Sequence, residues 1–313
     1  MEALRRADEI RDVNTRYHDV AAAGYDAKWG IDFGDLGQSQ VLGKIRKLLG
    51  DELRRGYARG LEIGAGTGYF SLNLLQAGVL HEATCTDISP GMVTALAGNA
   101  RRLGLEVKTA RADAESLPFA DASFDLVFGH AVLHHLPDLP RAFAELHRVL
   151  RPGGRLLFAG EPSRIGDRLA RVPKSGASLM APAWRAVLKL SPARPPAESD
   201  VQAAEDHALE DRVDIHAFAP GDLSGLARRA GFESVRVRGE ELLANWFGWI
   251  NRGLETTAEA SEIPRMWINY AYHGYLFLQR VDERLLEPYL PPAIFYNLLL
   301  TARKPQGGEP APR

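Results

Sequence analysis

Between residues 58 and 162 the chain alternates short apolar runs with longer stretches of helical periodicity, and few folds can absorb that pattern. Runs that read as strands fall near 58–63, 82–87 (EATCTD), 106–111 (EVKTAR), 124–129 (FDLVFG) and 154–160 (GRLLFAG). Helical stretches near 67–77, 91–103 and 138–149 separate them. Strands that each return through a helix pair in parallel, with helices covering both faces of the sheet. After an interruption the pattern resumes: PGDLSGLARRAGF (220–232) reads as a helix closed by a glycine and ESVRVRG (233–239) as a strand. IFYNLLLTARKP (294–305) reads as a last strand. The expected fold is α/β: a doubly wound, mostly parallel seven-stranded sheet with N-terminal helices and two helical insertions.

This divides the chain into an N-terminal helical cap (1–50), a core (51–162), an insertion (163–214), the core continued (215–239), an aromatic helical insertion (240–293), the last strand (294–305) and a tail (306–313). Lys and Arg number 38 against 40 Asp and Glu, a net charge of −2, so a dedicated nucleic-acid binder is not expected. The single cysteine, Cys85, excludes an intramolecular disulfide framework and any multi-cysteine zinc site. The N-terminus MEALRRADEIRDVNTRY lacks a signal-peptide core, and no apolar run approaches a membrane span. A cytoplasmic protein is expected.

The stretch LEIGAGTGYF (61–70) sets Gly64, Gly66 and Gly68 between a strand and a helical pattern. Such a turn lets backbone approach a ligand closely and aims unpaired N–H groups at it. A nicotinamide fingerprint needs its third glycine where Tyr69 stands. Asp87, in TDIS at the end of the second strand, lies 23 residues beyond Gly64, where an acid can accept hydrogen bonds from vicinal ribose hydroxyls. Helix capping by the following Ser89-Pro90 is compatible with that role. Asp113, in RADAESLPF, can accept from an adenine amino group while Ala114 offers a backbone N–H; alone, it reads more readily as a turn-former than as a ligand. All three elements fall at the C-terminal ends of successive parallel strands, where open α/β sheets bind ligands.

These segments, with FDLVFGHAVLHHLPD and LRPGGRLLFAGEP, resemble the class I S-adenosylmethionine-dependent methyltransferases, a Rossmann-like family, in its small-molecule and quinone C-methyltransferase branch. The resemblance covers 58–162 strongly and 215–305 by pattern. It implies that S-adenosyl-L-methionine is the cofactor and S-adenosyl-L-homocysteine the product. Gly64 and Gly66 would border the methionine moiety, Asp87 the ribose, and Asp113 with Ala114 the adenine. It also places Glu62, Ala65, Ile88 and Met92 around the cofactor, His130 near the sulfonium, and Tyr25 of GYDAKWG as a closing tyrosine.

Methyl transfer from a sulfonium needs alignment first, and a general base only where the acceptor must lose a proton. Candidates for that base are His130, His134, His135 and Glu161, each with a structural reading beside it. No protein metal is expected, because HAVLHH lacks cysteine or carboxylate company. Residues 164–194 carry seven basic side chains against Asp167, and 198–214 carry seven acids against Arg212. A helix over Ala181–Leu190 in the basic part reads as a solvated lid segment or as a patch that rests on a membrane or steers an anionic substrate. The acidic run could neutralise it in cis. Residues 240–300 hold 11 of the 26 aromatics. Trp246, Trp249 and Tyr272 are the expected substrate wall, against helix packing or a dimer contact as the structural reading. The leading function is a methyltransferase acting on a small, apolar or aromatic organic acceptor. An idle S-adenosylmethionine-binding protein and a nicotinamide oxidoreductase are the alternatives. The acceptor atom and the oligomeric state leave no mark in the sequence.

Overall fold

The computed structural model of the chain describes residues 2–193 and 216–306. Three helices open it: α1 (Glu2–Ala21), α2 (Tyr25–Trp29) and α3 (Asp35–Leu49). The alternation then runs β1 (Tyr57–Ile63), α4 (Tyr69–Gln76), β2 (Leu80–Asp87), α5 (Pro90–Leu103), β3 (Lys108–Arg111), β4 (Phe124–His130), α6 (Leu139–Val149) and β5 (Leu150–Pro162). After β5 come α7 (Arg164–Leu188), α8 (Pro220–Arg229), β6 (Glu233–Glu240), α9 (Leu243–Glu255), α10 (Arg265–Val281) and β7 (Asn297–Arg303). The helix expected over 181–190 is the last part of α7, which runs unbroken from its Ser163 cap and carries Pro173 and Pro182 inside it. The acidic run 198–214 lies outside the described residues.

Seven strands form one sheet in the order β3-β2-β1-β4-β5-β7-β6, with β7 antiparallel to both its neighbours. Alternate residues of β4 supply the two faces of the core. Val127 packs with Phe143 and Leu146 of α6 and Leu223 of α8. Leu126 and Phe128 pack with Val41 and Ile45 of α3 and Phe70 of α4 on the other face. Both faces being covered explains why FDLVFG reads as a continuous apolar run instead of an alternating one.

The helices start where the sequence marks them. Ser89 Oγ accepts the Met92 N–H at 3.0 Å with Pro90 following, and Gly104 closes α5 at φ 69°. Asp138 caps α6 by accepting the Arg141 N–H at 3.1 Å. Both insertions leave from one edge. Asn297 of β7 pairs with Pro162 and with Glu240, so α7 and α9 both begin beside the C-terminal ends of the parallel strands.

Glu62 is buried inside β1 and accepts the Ser71 N–H at 3.0 Å, tying the strand to the first turn of α4. Burial pushes its carboxyl up to about 8, against an ordinary value of 4.5. The unfolded chain therefore releases this proton before the folded one. The stability tied to Glu62 is complete below about 4.5 and is lost as pH climbs through about 8. Glu62→Gln keeps an acceptor for Ser71 and has no proton to lose. Urea unfolding across that pH window should show a loss of stability in the wild type that the variant lacks; equal slopes for the two proteins would refute the assignment.

Candidate active site

The sheet turns back on itself at β1. The chain walks outward from β1 to β2 and β3, then returns to lay β4 on the other side of β1. Chain segments leaving adjacent strands in opposite directions open a crevice at the strand ends. Gly64 and Gly66 after β1, Asp87 and Ile88 at the end of β2, Asp113 and Ala114 after β3, and His130 ending β4 all line one cleft there. Tyr25 of α2 lines it too. The sequence therefore anticipated residues that the fold brings together from four strand ends.

The turn after β1 can be built only with glycine. Gly64 has φ 55°, and a Cβ on it would lie 2.2 Å from the Val132 side chain. Gly66 has φ 51°, and a Cβ there would meet only the Tyr25 ring at 3.9 Å, inside the cleft. Asp87 fixes this turn: Oδ2 accepts the Gly66 N–H and Oδ1 the Ser89 N–H, each at 2.9 Å. Burial raises the Asp87 pKa above the usual carboxylate range, with His18 pulling the other way. Each carboxylate oxygen keeps acceptor capacity beyond its one backbone partner.

A further wall of the cleft comes from α1, which by its sequence pattern is only part of a helical cap. Arg11, Asn14 and His18 line the site. Arg11 Nε pairs with Asp113 Oδ2 at 2.9 Å, and its guanidinium also meets the buried Glu115. Glu115 in turn accepts the Asp138 N–H at 2.8 Å, so one arginine joins α1, the loop after β3 and the start of α6. Asn14 donates to the His135 carbonyl at 3.3 Å, while its Oδ1 is buried with no hydrogen-bond partner among the described residues. His18 donates from Nδ1 to the Asn14 carbonyl at 2.8 Å. The one signal for these roles is the spacing Arg11, Asn14, His18, which puts the three on one helical face.

Other expected residues hold the frame without lining the cleft. Glu62 ties β1 to α4, Ala65 donates its N–H to the Thr86 carbonyl at 2.9 Å, and Met92 is buried behind its cap. Among the candidate bases, Glu161 is fully buried and already accepts four hydrogen bonds. These come from the N–H groups of Val132, Leu133 and His134 and from the His134 ring at 2.8 Å. It shapes the 133–135 turn, and His134 is held by it. His135 lines the cleft, its ring 5.5 Å from His18. His130 stacks on Phe70 at 4.7 Å, and burial with the nearby Lys44 ammonium pushes its pKa down to about 3. It is a neutral imidazole at physiological pH.

None of Trp246, Trp249 and Tyr272 lines this cleft. Trp249 packs edge-on against Tyr296 at 4.7 Å, and Tyr272 is 43% exposed. Three residues further along α10, Tyr275 turns inward instead. Its hydroxyl donates to Glu241 at 2.9 Å, and Glu241 pairs with Lys44 at 3.6 Å. Lys44 also meets Glu240, and Lys47 bridges Glu240 and Glu287. This buried ionic seam fastens the second insertion to α3 beside His130, and spacing alone could not reveal it. Among the described residues no group of three or more His, Cys, Asp or Glu side chains converges as a metal site.

A family model described as a methyltransferase domain matches residues 61–158. A malonyl-(acyl-carrier protein) O-methyltransferase from Methylococcus capsulatus is 34% identical over 231 residues, 72% of each chain. The chain belongs to the class I S-adenosylmethionine-dependent methyltransferases. A ubiquinone/menaquinone biosynthesis C-methyltransferase from Bordetella parapertussis is 35% identical over 172 residues, 54% of this chain and 64% of that one. The fold is shared with phosphoethanolamine N-methyltransferase 2 of Haemonchus contortus, solved with phosphomonomethylethanolamine and S-adenosylhomocysteine. The TM-score is 0.57 at 17% identity, over 95% of this chain and 60% of that one. The enzyme is a methyltransferase and its cofactor is S-adenosylmethionine. The cleft fits such a ligand: open space faces Gly66, Asp87 has acceptor capacity to spare, and the orphaned Asn14 oxygen awaits a donor.

Removing Arg11 leaves Glu115 buried with one charged partner fewer. Arg11→Met should cost about 1–3 kcal/mol in urea unfolding. Most of that loss should return in Arg11→Met/Glu115→Gln, because the neutral amide no longer needs the cation. A single variant as stable as the wild type would show that α1 is held by other contacts.

Proposed function

We propose that the enzyme transfers a methyl group to a small, largely apolar organic acceptor whose nucleophile needs no strong protein base. The convergence of Gly64, Gly66, Asp87, Asp113 and His130 on one cleft carries this reading. In it, Asp87 accepts the two ribose hydroxyls while keeping Gly66 in place. Asp113, steadied by Arg11, faces the adenine amino group with the Ala114 N–H beside it, and Tyr25 closes over the methionine end. The bound cofactor supplies an activated methyl group, so the chain's work is alignment and exclusion of water.

Two of the four candidate bases, His130 and Glu161, favour an acceptor that arrives ready to react, while His135 stands on the cleft wall beside His18. His130 is too weakly basic, with a pKa near 3, to hold a proton at neutral pH, and Glu161 has its acceptor capacity committed to the 133–135 turn. A carboxylate or a stabilised enolate meets this condition. A carboxylate offers an oxygen acceptor and an enolate a carbon acceptor, and the two relatives are named as an O-methyltransferase and a C-methyltransferase. Both insertions begin at the cleft edge of the sheet, which supports a role as the acceptor's apolar wall. We assign that wall to Trp246 and Trp249 of α9 with Tyr275, in place of Tyr272, which is exposed on α10.

Incubation with methyl-labelled S-adenosylmethionine and a metabolite extract, followed by mass spectrometry of labelled products, tests the acceptor class. A labelled nucleic acid, or a protein labelled on its own amino-acid side chains and not on a carried acyl group, would reject it. By calorimetric titration Asp87→Ala should bind S-adenosylmethionine about 30- to 1000-fold more weakly, the equivalent of roughly 2–4 kcal/mol. Affinity within threefold of the wild type would leave Asp87 as a structural clamp only. With the acceptor in hand, His130→Gln should change kcat yet leave the kcat/KM pH profile unmoved across neutrality. Loss of an inflection near neutral pH in that variant would make His130 the base after all.

A further inference from the structure

The long helix α7 exposes an apolar stripe that the methyltransferase fold does not use. Ile165, Leu169, Val172, Leu179, Ala183 and Val187 recur at the three-and-four spacing of one helical face. Val172 is 66%, Leu179 85% and Val187 80% exposed, while the opposite face (Ala170, Ala177, Ala181) is buried. Arg168 and Arg171 are exposed along one flank of the stripe and make no ion pair among the described residues. Two other nearby cations are engaged: Arg164 pairs with Asp222, and Lys174 lies over the Trp249 ring. The same helical layer carries a second stripe on α10, where Met266, Tyr270 and Phe277 are exposed. The two helices meet at Trp184 and Trp267, 5.0 Å apart.

We propose that this layer docks on an anionic lipid surface, with the α7 stripe lying in the plane of the headgroups. Large apolar side chains with an arginine flank are what an interfacial helix needs: the stripe enters the acyl boundary while the guanidinium groups meet lipid phosphates. Exposed tyrosine on α10 suits the same boundary, with an apolar ring and a polar tip. No described helix is long and apolar enough to cross a membrane, so the contact is peripheral. A second copy is a poorer occupant. A pairing of two copies through the N-terminal halves of α7 would set Arg168 and Arg171 against the same cations of the second copy. The acidic residues of 198–214 are a competitor within the chain, since the described residues on either side of that stretch adjoin the two ends of α7. Ala193 follows α7, and Phe218 bridges Ser163 at its start. That segment offers few large apolar side chains to cover two stripes.

Flotation of the whole chain tests the proposal, using vesicles of phosphatidylcholine with and without phosphatidylglycerol. The protein should float only with the anionic vesicles. Val172→Glu/Leu179→Glu and Arg168→Glu/Arg171→Glu should each lower the bound fraction about tenfold or more. S-adenosylmethionine affinity and circular dichroism should stay unchanged in both variants, showing that they fold. Four results would overturn the proposal. One is absence of flotation with retention on an acidic carrier protein instead. The second is flotation indifferent to Val172→Glu/Leu179→Glu. The third is flotation only after the acids of 198–214 are neutralised, which would make that segment the native cover. The last is self-association that Leu179→Glu abolishes.

Discussion

The Asp87 carboxylate binds two turns into one site. It accepts the Gly66 N–H from the loop after β1 and the Ser89 N–H at the start of α5. The loop conformation at Gly64 and Gly66, the cap of α5 and the position of the cleft's acidic wall therefore depend on a single buried group. Burial raises its pKa above the usual carboxylate range, so a charge there carries a desolvation cost. Such a cost is tolerable where a ligand's donors will share the charge.

Around this clamp the enzyme is assembled by buried charges placed at or beyond the strand ends. Arg11 ties α1 to Asp113 and Glu115, closing the cleft from the N-terminal side. On the far side Lys44 and Lys47 of α3 meet Glu240, Glu241 and Glu287, anchoring the second insertion. Burial would lower the Lys44 pKa, yet Glu240 and Glu241 outweigh it and leave the pKa raised. Glu241 itself takes a left-handed backbone, φ 60°, to reach both Lys44 and Tyr275. Breaking one partner in such a seam leaves the other charge buried, which gives these contacts specificity beyond their net stability. His130 lies near Lys44 of the second anchorage, stacked on Phe70 and kept neutral.

The histidines and Glu161 show how one motif divides into separate tasks. In HAVLHH, His130 ends β4 inside the cleft, His134 turns away to the buried Glu161, and His135 returns to the cleft beside His18. A β-strand followed by a single turn of 3₁₀ helix aims each ring differently. Adjacency in the chain therefore says little about shared chemistry.

The local patterns of this protein were legible because they obey local rules. A buried parallel strand needs a continuous apolar run, as in FDLVFG, and a tight turn under Val132 needs glycine at 64. Ser89-Pro90 and Asp138 announce helix starts by the same short-range hydrogen bonds that they make in the fold. The sequence by itself therefore determined the sheet, the family and the acids at the strand ends. Tertiary structure decided the rest: that α1 covers the cleft through Arg11 and Asn14, that Glu161 is spent on a turn, and that Tyr275 instead of Tyr272 faces inward. It also decided that the basic stretch is one 25-residue helix with its apolar stripe outward. These features join residues far apart in the chain, such as Lys44 and Glu240, and only the packed chain brings such charges within reach of each other.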